Sequence, residues 1–101
     1  MEFNKSKKIL VIGRAGMDIY PEPPGTKISE VKNFSTHLGG SAANTCVALS
    51  QLGVQSDLLT CVSEDAIGEY IFEKLREFNV GSNLCRSCLL YTSDAADERN
   101  S

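Results

Sequence analysis

Three places in this chain hold residue types able to do chemistry: Asp18, the run Leu38-Gly39-Gly40-Ser41-Ala42-Ala43-Asn44, and the spacing Cys85-Arg86-Ser87-Cys88. A carboxylate has lone pairs enough to accept hydrogen bonds from two hydroxyls of a polyol. Asp18 is placed for that work if it follows a buried strand, because open α/β sheets bind ligands beyond the carboxyl ends of their strands. Standing alone, a solvated or turn-capping carboxylate is the simpler reading. Paired glycines ahead of a helix let a ligand approach the backbone and leave N–H groups free to point at it. Asn44 lies one turn into that helix, where its amide can donate to and accept from a hydroxylated ligand. The alternative is a glycine loop followed by an ordinary early-helix Asn, and local physics favours neither.

Other motifs fail on closer reading. Gly13-Arg14-Ala15-Gly16 suggests a dinucleotide loop, yet such a loop must open directly into a helix, and here Pro21, Pro23 and Pro24 follow. There is no G-x-x-x-x-G-K-[ST] run for a nucleotide phosphate. Glu64 and Asp65 suit the positive end of a helix dipole, and capping alone explains them. Cys85 and Cys88 make half of a redox or zinc site: no second C-x-x-C exists, and the sole histidine, His37, is 48 positions earlier.

The elements that must position these residues are legible. Ile9-Leu10-Val11-Ile12, closed by Gly13, is the pattern of a strand buried on both faces. Pro21 to Gly25 reads as a loop, since proline lacks the N–H that a central strand or helix requires. From Ile28 to Leu38 helical and strand spacing compete, and strand is the weaker-conflict choice. Ala42, Cys46, Leu49 and Leu52 mark an amphipathic helix ended by Gly53. Leu58 to Val62 is a second buried strand, and Ile67, Ile71, Leu75 and Phe78 mark another helix, stopped near Asn79 and Gly81. Cys46 and Cys61 fall inside apolar patterns and read as small core residues. The order of strand, long excursion, helix, strand, helix predicts an α/β fold with right-handed crossovers onto a parallel sheet. Two strands cannot cover two helices, so the sheet reads as incomplete.

Composition narrows the class. With 101 residues, 42% of them hydrophobic, there is material for one modest core. A formal net charge of −3, with Lys5, Lys7 and Lys8 as the only basic cluster, gives no general attraction for nucleic acid or an anionic membrane. The apolar run after those lysines is too short for a signal peptide or a membrane span, so a cytoplasmic protein with reduced thiols is expected.

After Cys88 the apolar periodicity stops. Cys88-Leu89-Leu90-Tyr91-Thr92-Ser93-Asp94-Ala95-Ala96-Asp97-Glu98 is similar to what appears when a reading frame runs through sequencing-adaptor DNA. The expected division is therefore 1–83 as the folded segment and 84–101 as a non-native or disordered tail. An incomplete parallel sheet also presents unpaired edge groups, which keeps open a second class: a small non-enzymatic module that recruits a partner through that edge.

Taken together, Ile9–Asp18, Gly39-Gly40-Ser41-Ala42-Ala43-Asn44 and Val62-Ser63-Glu64-Asp65-Ala66-Ile67-Gly68 resemble the N-terminal part of the PfkB/ribokinase family of carbohydrate kinases, over about residues 8–83. The stretch from Gly13 through Thr26 looks most like the branch of that family found in inositol catabolism. The resemblance implies an incomplete Rossmann-like, ribokinase-like sheet with helices and a small β-lid excursion at about 19–38. It implies an enzyme that moves the γ-phosphoryl group of ATP, with Mg²⁺, to a sugar hydroxyl. On that likeness Asp18 binds substrate hydroxyls, Gly39 and Gly40 form the join beside the sugar, and Asn44 hydrogen-bonds it. Gly16 and Ser41 depart from the common pattern, where Asn and Lys often stand. The family's catalytic Asp and ATP loops belong to the C-terminal part, so the residues here bind neither cofactor and the fragment alone is expected to be inactive. Family lids pack together in some members, so the expected partners are a small sugar and a second copy through the lid.

Overall fold

The structure is a computed structural model that describes residues 7–88. Its elements run β1 (Ile9–Ile12), β2 (Gly16–Glu22), a 3-10 turn (Ile28–Glu30), β3 (Asn33–Gly39), α1 (Ser41–Gln51), β4 (Ser56–Ser63), α2 (Ala66–Glu77) and β5 (Cys85–Cys88). A parallel sheet has the order β1-β4-β5, and β2 and β3 form a separate antiparallel ribbon. The expected α/β class, parallel sheet and β excursion are all present.

Each helix is fixed by a local device. Asp65 caps α2 by accepting from the N–H groups of Ile67 and Gly68, both at 3.0 Å. α1 has no side-chain cap; the loop after β1 takes that role, with the Ala43 N–H donating to the Arg14 carbonyl at 3.3 Å. At the far end Gly53 takes φ +82°, the left-handed turn expected of it, and the Val54 N–H closes onto Leu49 O at 2.9 Å.

The core joins one face of β4 to both helices. Leu58 and Val62 of β4 meet Ala42, Ala43 and Cys46 of α1 and Ile71 and Leu75 of α2, all buried. Both crossovers step the same way across the sheet, so the usual right hand places both helices on one side. The opposite side of β1, expected to be buried, is bare: Leu10 is 53% and Ile12 69% exposed. A parallel sheet is ordinarily covered on both faces.

Four sequence expectations are corrected. Pro21 sits inside β2, paired with Phe34, where a loop was expected. A two-stranded ribbon has two edges, so proline's missing N–H can face away from the partner strand. Ile28–Glu30 is a 3-10 turn, and only Asn33 onward is strand. Cys61 lies on the exposed side of β4, since Leu58 and Val62 take the buried alternate positions. Cys85–Cys88, assigned to the tail, is a strand parallel to β4 with Thr60 opposite Cys85. Its pairing is led in by Gly81, which exchanges hydrogen bonds with Ser56 O at 2.8 Å and Leu58 N at 3.0 Å. The remainder of the expected tail, 89–101, lies outside the described residues.

Candidate functional site at the ribbon and helix junction

The ribbon's register sorts its residues by face. Gly16, Asp18 and Tyr20 stand opposite Gly39, His37 and Ser35, and the alternate pairs are Met17–Leu38, Ile19–Thr36 and Pro21–Phe34. One face is therefore polar and the other largely apolar. Leu38 anchors the apolar side on the core, while Ile19 and Phe34 are exposed.

Asp18 is exposed on the polar face, and its carboxyl group lies directly over Gly39. A Cβ at position 39 would collide with the carboxyl carbon and both oxygens of Asp18. Gly40 has φ +97°, and a Cβ there would collide with the Arg14 carbonyl oxygen. A Cβ on Gly13 would sit 2.6 Å from that of Ala42. The paired glycines are thus first of all room for the chain itself: one seats the Asp18 carboxylate, and the other lets α1 meet the loop after β1. Asn44 is exposed in the first turn of α1, and its N–H donates to Gly40 O at 3.0 Å. Asp18, Gly39, Gly40 and the helix bearing Asn44 are therefore brought to one junction by the loop after β1 and the end of β3.

The polar face holds more than sequence reasoning found. The Tyr20 hydroxyl donates to Asp18 Oδ2 at 3.3 Å, and the Tyr20 ring meets the His37 ring edge-on, centroids 5.2 Å apart at 63°. Nε2 of His37 lies 3.2 Å from the Ser35 hydroxyl. The alternation of 18 and 20 with 35 and 37 was the available signal, and it becomes readable once both segments are known to be strands.

Elsewhere the chemistry is quieter. Asp65 is held below the usual carboxylate range, first by the Ser63 hydroxyl and then by the Gly68 N–H, with the Ile67 N–H adding to them and desolvation opposing; it is a helix cap, as expected. The C-x-x-C pair is split. Contrary to the expectation of reduced thiols, Cys88 is joined to Cys61 across the bare side of the sheet. Cys85 donates to Leu58 O at 3.3 Å, and burial, aided by the nearby Cys46 and Asp57, pushes its thiol up to about 11. Among the described residues no group of three His, Cys, Asp or Glu converges on a metal-binding position. The described residues thus do not fit a Mg²⁺ site. Among them also, no helix is long and apolar enough to cross a membrane.

This fold is shared with sugar kinases in solved structures. An uncharacterised sugar kinase of Pyrococcus horikoshii superposes with a TM-score of 0.71 at 35% identity, over 79% of this chain and 27% of that one. The same enzyme has been solved in complex with ATP. A PfkB family carbohydrate kinase from Listeria grayi gives a TM-score of 0.76 at 28% identity, over 81% of this chain and 25% of that one. Residues 6–87 match the pfkB family carbohydrate kinase profile, and the chain belongs to that family. Among curated relatives, a 5-dehydro-2-deoxygluconokinase of Photobacterium profundum is 42% identical over 62 residues, 61% of this chain and 19% of that protein. The chain spans about a fifth of the length of such relatives.

Proposed function

We propose that this chain is the N-terminal segment of a longer ATP-dependent sugar kinase and supplies the sugar side of its active site. The observation that carries the proposal is the seating of the Asp18 carboxylate on Gly39 at the head of α1. Two hydroxyls of the sugar donate to Asp18, and the Asn44 amide takes a third polar group. Gly39 and Gly40 leave the backbone bare beside the ligand. The ribbon lies over the sugar as a lid, and excluding water there strengthens each of these contacts and protects the transferring group from hydrolysis.

ATP is the phosphoryl donor in this reading, and Mg²⁺, which the described residues do not hold, would supply charge neutralisation on the transferring group. The carboxylate that deprotonates the acceptor hydroxyl and the loops that hold ATP belong to the part of the kinase beyond these residues. The 101-residue polypeptide by itself is therefore inactive. The substrate proposed is 5-dehydro-2-deoxygluconate, on the strength of the relatives so named. The exposed apolar ribbon face, with Ile19 and Phe34, meets the same face of a second lid in a homodimer. The enzyme works on a soluble metabolite in the cytoplasm, without nucleic acid or membrane partners.

The test is ADP release by the full-length kinase with this sugar acid, with fructose and with ribose. Asp18→Ala is expected to raise the KM for the sugar while leaving that for ATP in place. No sugar-dependent ADP release from the full-length protein overturns the function, and ADP release from the 101-residue polypeptide overturns its inactivity.

A further inference from the structure

We infer that Tyr20 is a positioning residue for Asp18, which it holds in the orientation that receives the sugar. The inference rests on the sugar-site reading and goes further into it. Asp18 is exposed, and a free aspartate at a strand surface samples several rotamers, so a binding role requires something to fix it. Two contacts do this. Gly39 forms the floor under the carboxylate, and the Tyr20 hydroxyl bonds Oδ2 from the neighbouring same-face position of β2.

The phenol is itself held. Its ring leans edge-on against His37, and His37 is in turn bonded through Nε2 to Ser35. Ser35, His37, Tyr20 and Asp18 thus form one chain of contacts across the polar face of the ribbon, with the carboxylate at its end. Donation from Tyr20 occupies one lone pair of Oδ2 and fixes the carboxylate plane. Oδ1 and the remaining lone pairs stay open for the hydroxyls of a polyhydroxylated ligand. His37 is the second-rank member, acting only by bracing the phenol.

The experiment is a double-mutant cycle in the full-length kinase with Tyr20→Phe, Asp18→Asn and the pair, reading the KM for sugar, the KM for ATP and kcat. Tyr20→Phe keeps the ring against His37 and removes only the hydroxyl. It is expected to raise the sugar KM about 3- to 10-fold, the effect of one ordinary exposed hydrogen bond, with kcat and the ATP KM unchanged. In the Asp18→Asn background the same change should have little further effect. An unchanged sugar KM in Tyr20→Phe, while Asp18→Asn raises it, overturns the role of Tyr20 and leaves the site intact. An equal effect in both backgrounds shows that Tyr20 acts independently of Asp18 and also overturns the inference. An Asp18→Asn enzyme with normal sugar KM overturns the site itself.

Discussion

Alanine at Gly39 and alanine at Gly40 should fail in different ways, although the two positions are adjacent and the change is one methyl group in each. At Gly39 the three atoms nearest the new Cβ all belong to the Asp18 carboxyl group, a short side chain that can rotate away without moving the backbone. The fold survives and the carboxylate leaves its seat. In the proposed sugar site two hydroxyl-to-carboxylate bonds at about 1.5 kcal/mol each would be lost, roughly 3 kcal/mol, which corresponds to about a 100-fold rise in the dissociation constant for sugar. At Gly40 the obstacle is the Arg14 carbonyl, which is backbone and also accepts the Ala43 N–H that starts α1, and φ is +97°. Strain in that region costs about 1–3 kcal/mol and the steric overlap a similar amount, so a loss of about 3 kcal/mol is expected. At about 2–4 °C per kcal/mol for a larger domain, Tm should fall by about 6–12 °C. The assay is thermal unfolding alongside calorimetric sugar binding, both on the full-length kinase. Normal sugar binding by Gly39→Ala, or a fall in its Tm as large as that of Gly40→Ala, would contradict these separate roles.

Asp65→Ala should lower Tm by several degrees through loss of the α2 cap, with no change in sugar KM. Because the folded-state pKa of Asp65 is depressed, its contribution is present above the unfolded value near 3.8 and is lost as pH falls through the folded value; Tm measured from pH 6 to pH 2 should converge for the wild type and the variant. Cys85, with its thiol raised to about 11, should resist alkylation by iodoacetamide at pH 8 in the native protein, as mass spectrometry would show. Its raised pKa means that any stability it adds is full below about 9, the ordinary thiol value, and is lost as pH rises through about 11. Leu58→Ala, at a fully buried position between α1 and α2, should cost about 2–5 kcal/mol by denaturant unfolding; a loss under about 1 kcal/mol would contradict the described core.

What the sequence made legible follows from how strongly each signal is local. The apolar run at Ile9–Ile12 and the 3-4 spacing of Ala42, Cys46 and Leu49 specify β1 and α1 without help from distant residues. β5 was missed because Cys85-Arg86-Ser87-Cys88 has little strand propensity of its own; it is a strand because β4 offers an edge and Gly81 brings the chain to it. Pro21 was read as a breaker because composition does not reveal that its strand belongs to a two-stranded ribbon. Within the site, Asp18 and the diglycine were visible as residue types, but their relation was not. That Gly39 serves the Asp18 carboxylate, and that Tyr20 and His37 share its face, depends on the register of β2 against β3, which no single segment encodes.

The most direct test of the sugar site is a crystal structure of the full-length kinase with 5-dehydro-2-deoxygluconate and a non-hydrolysable ATP analogue. Two sugar hydroxyls are expected within about 3.2 Å of the Asp18 carboxylate, with Asn44 on a third polar group. A sugar bound away from the ribbon and α1 junction, with Asp18 contacting only Tyr20, would contradict it.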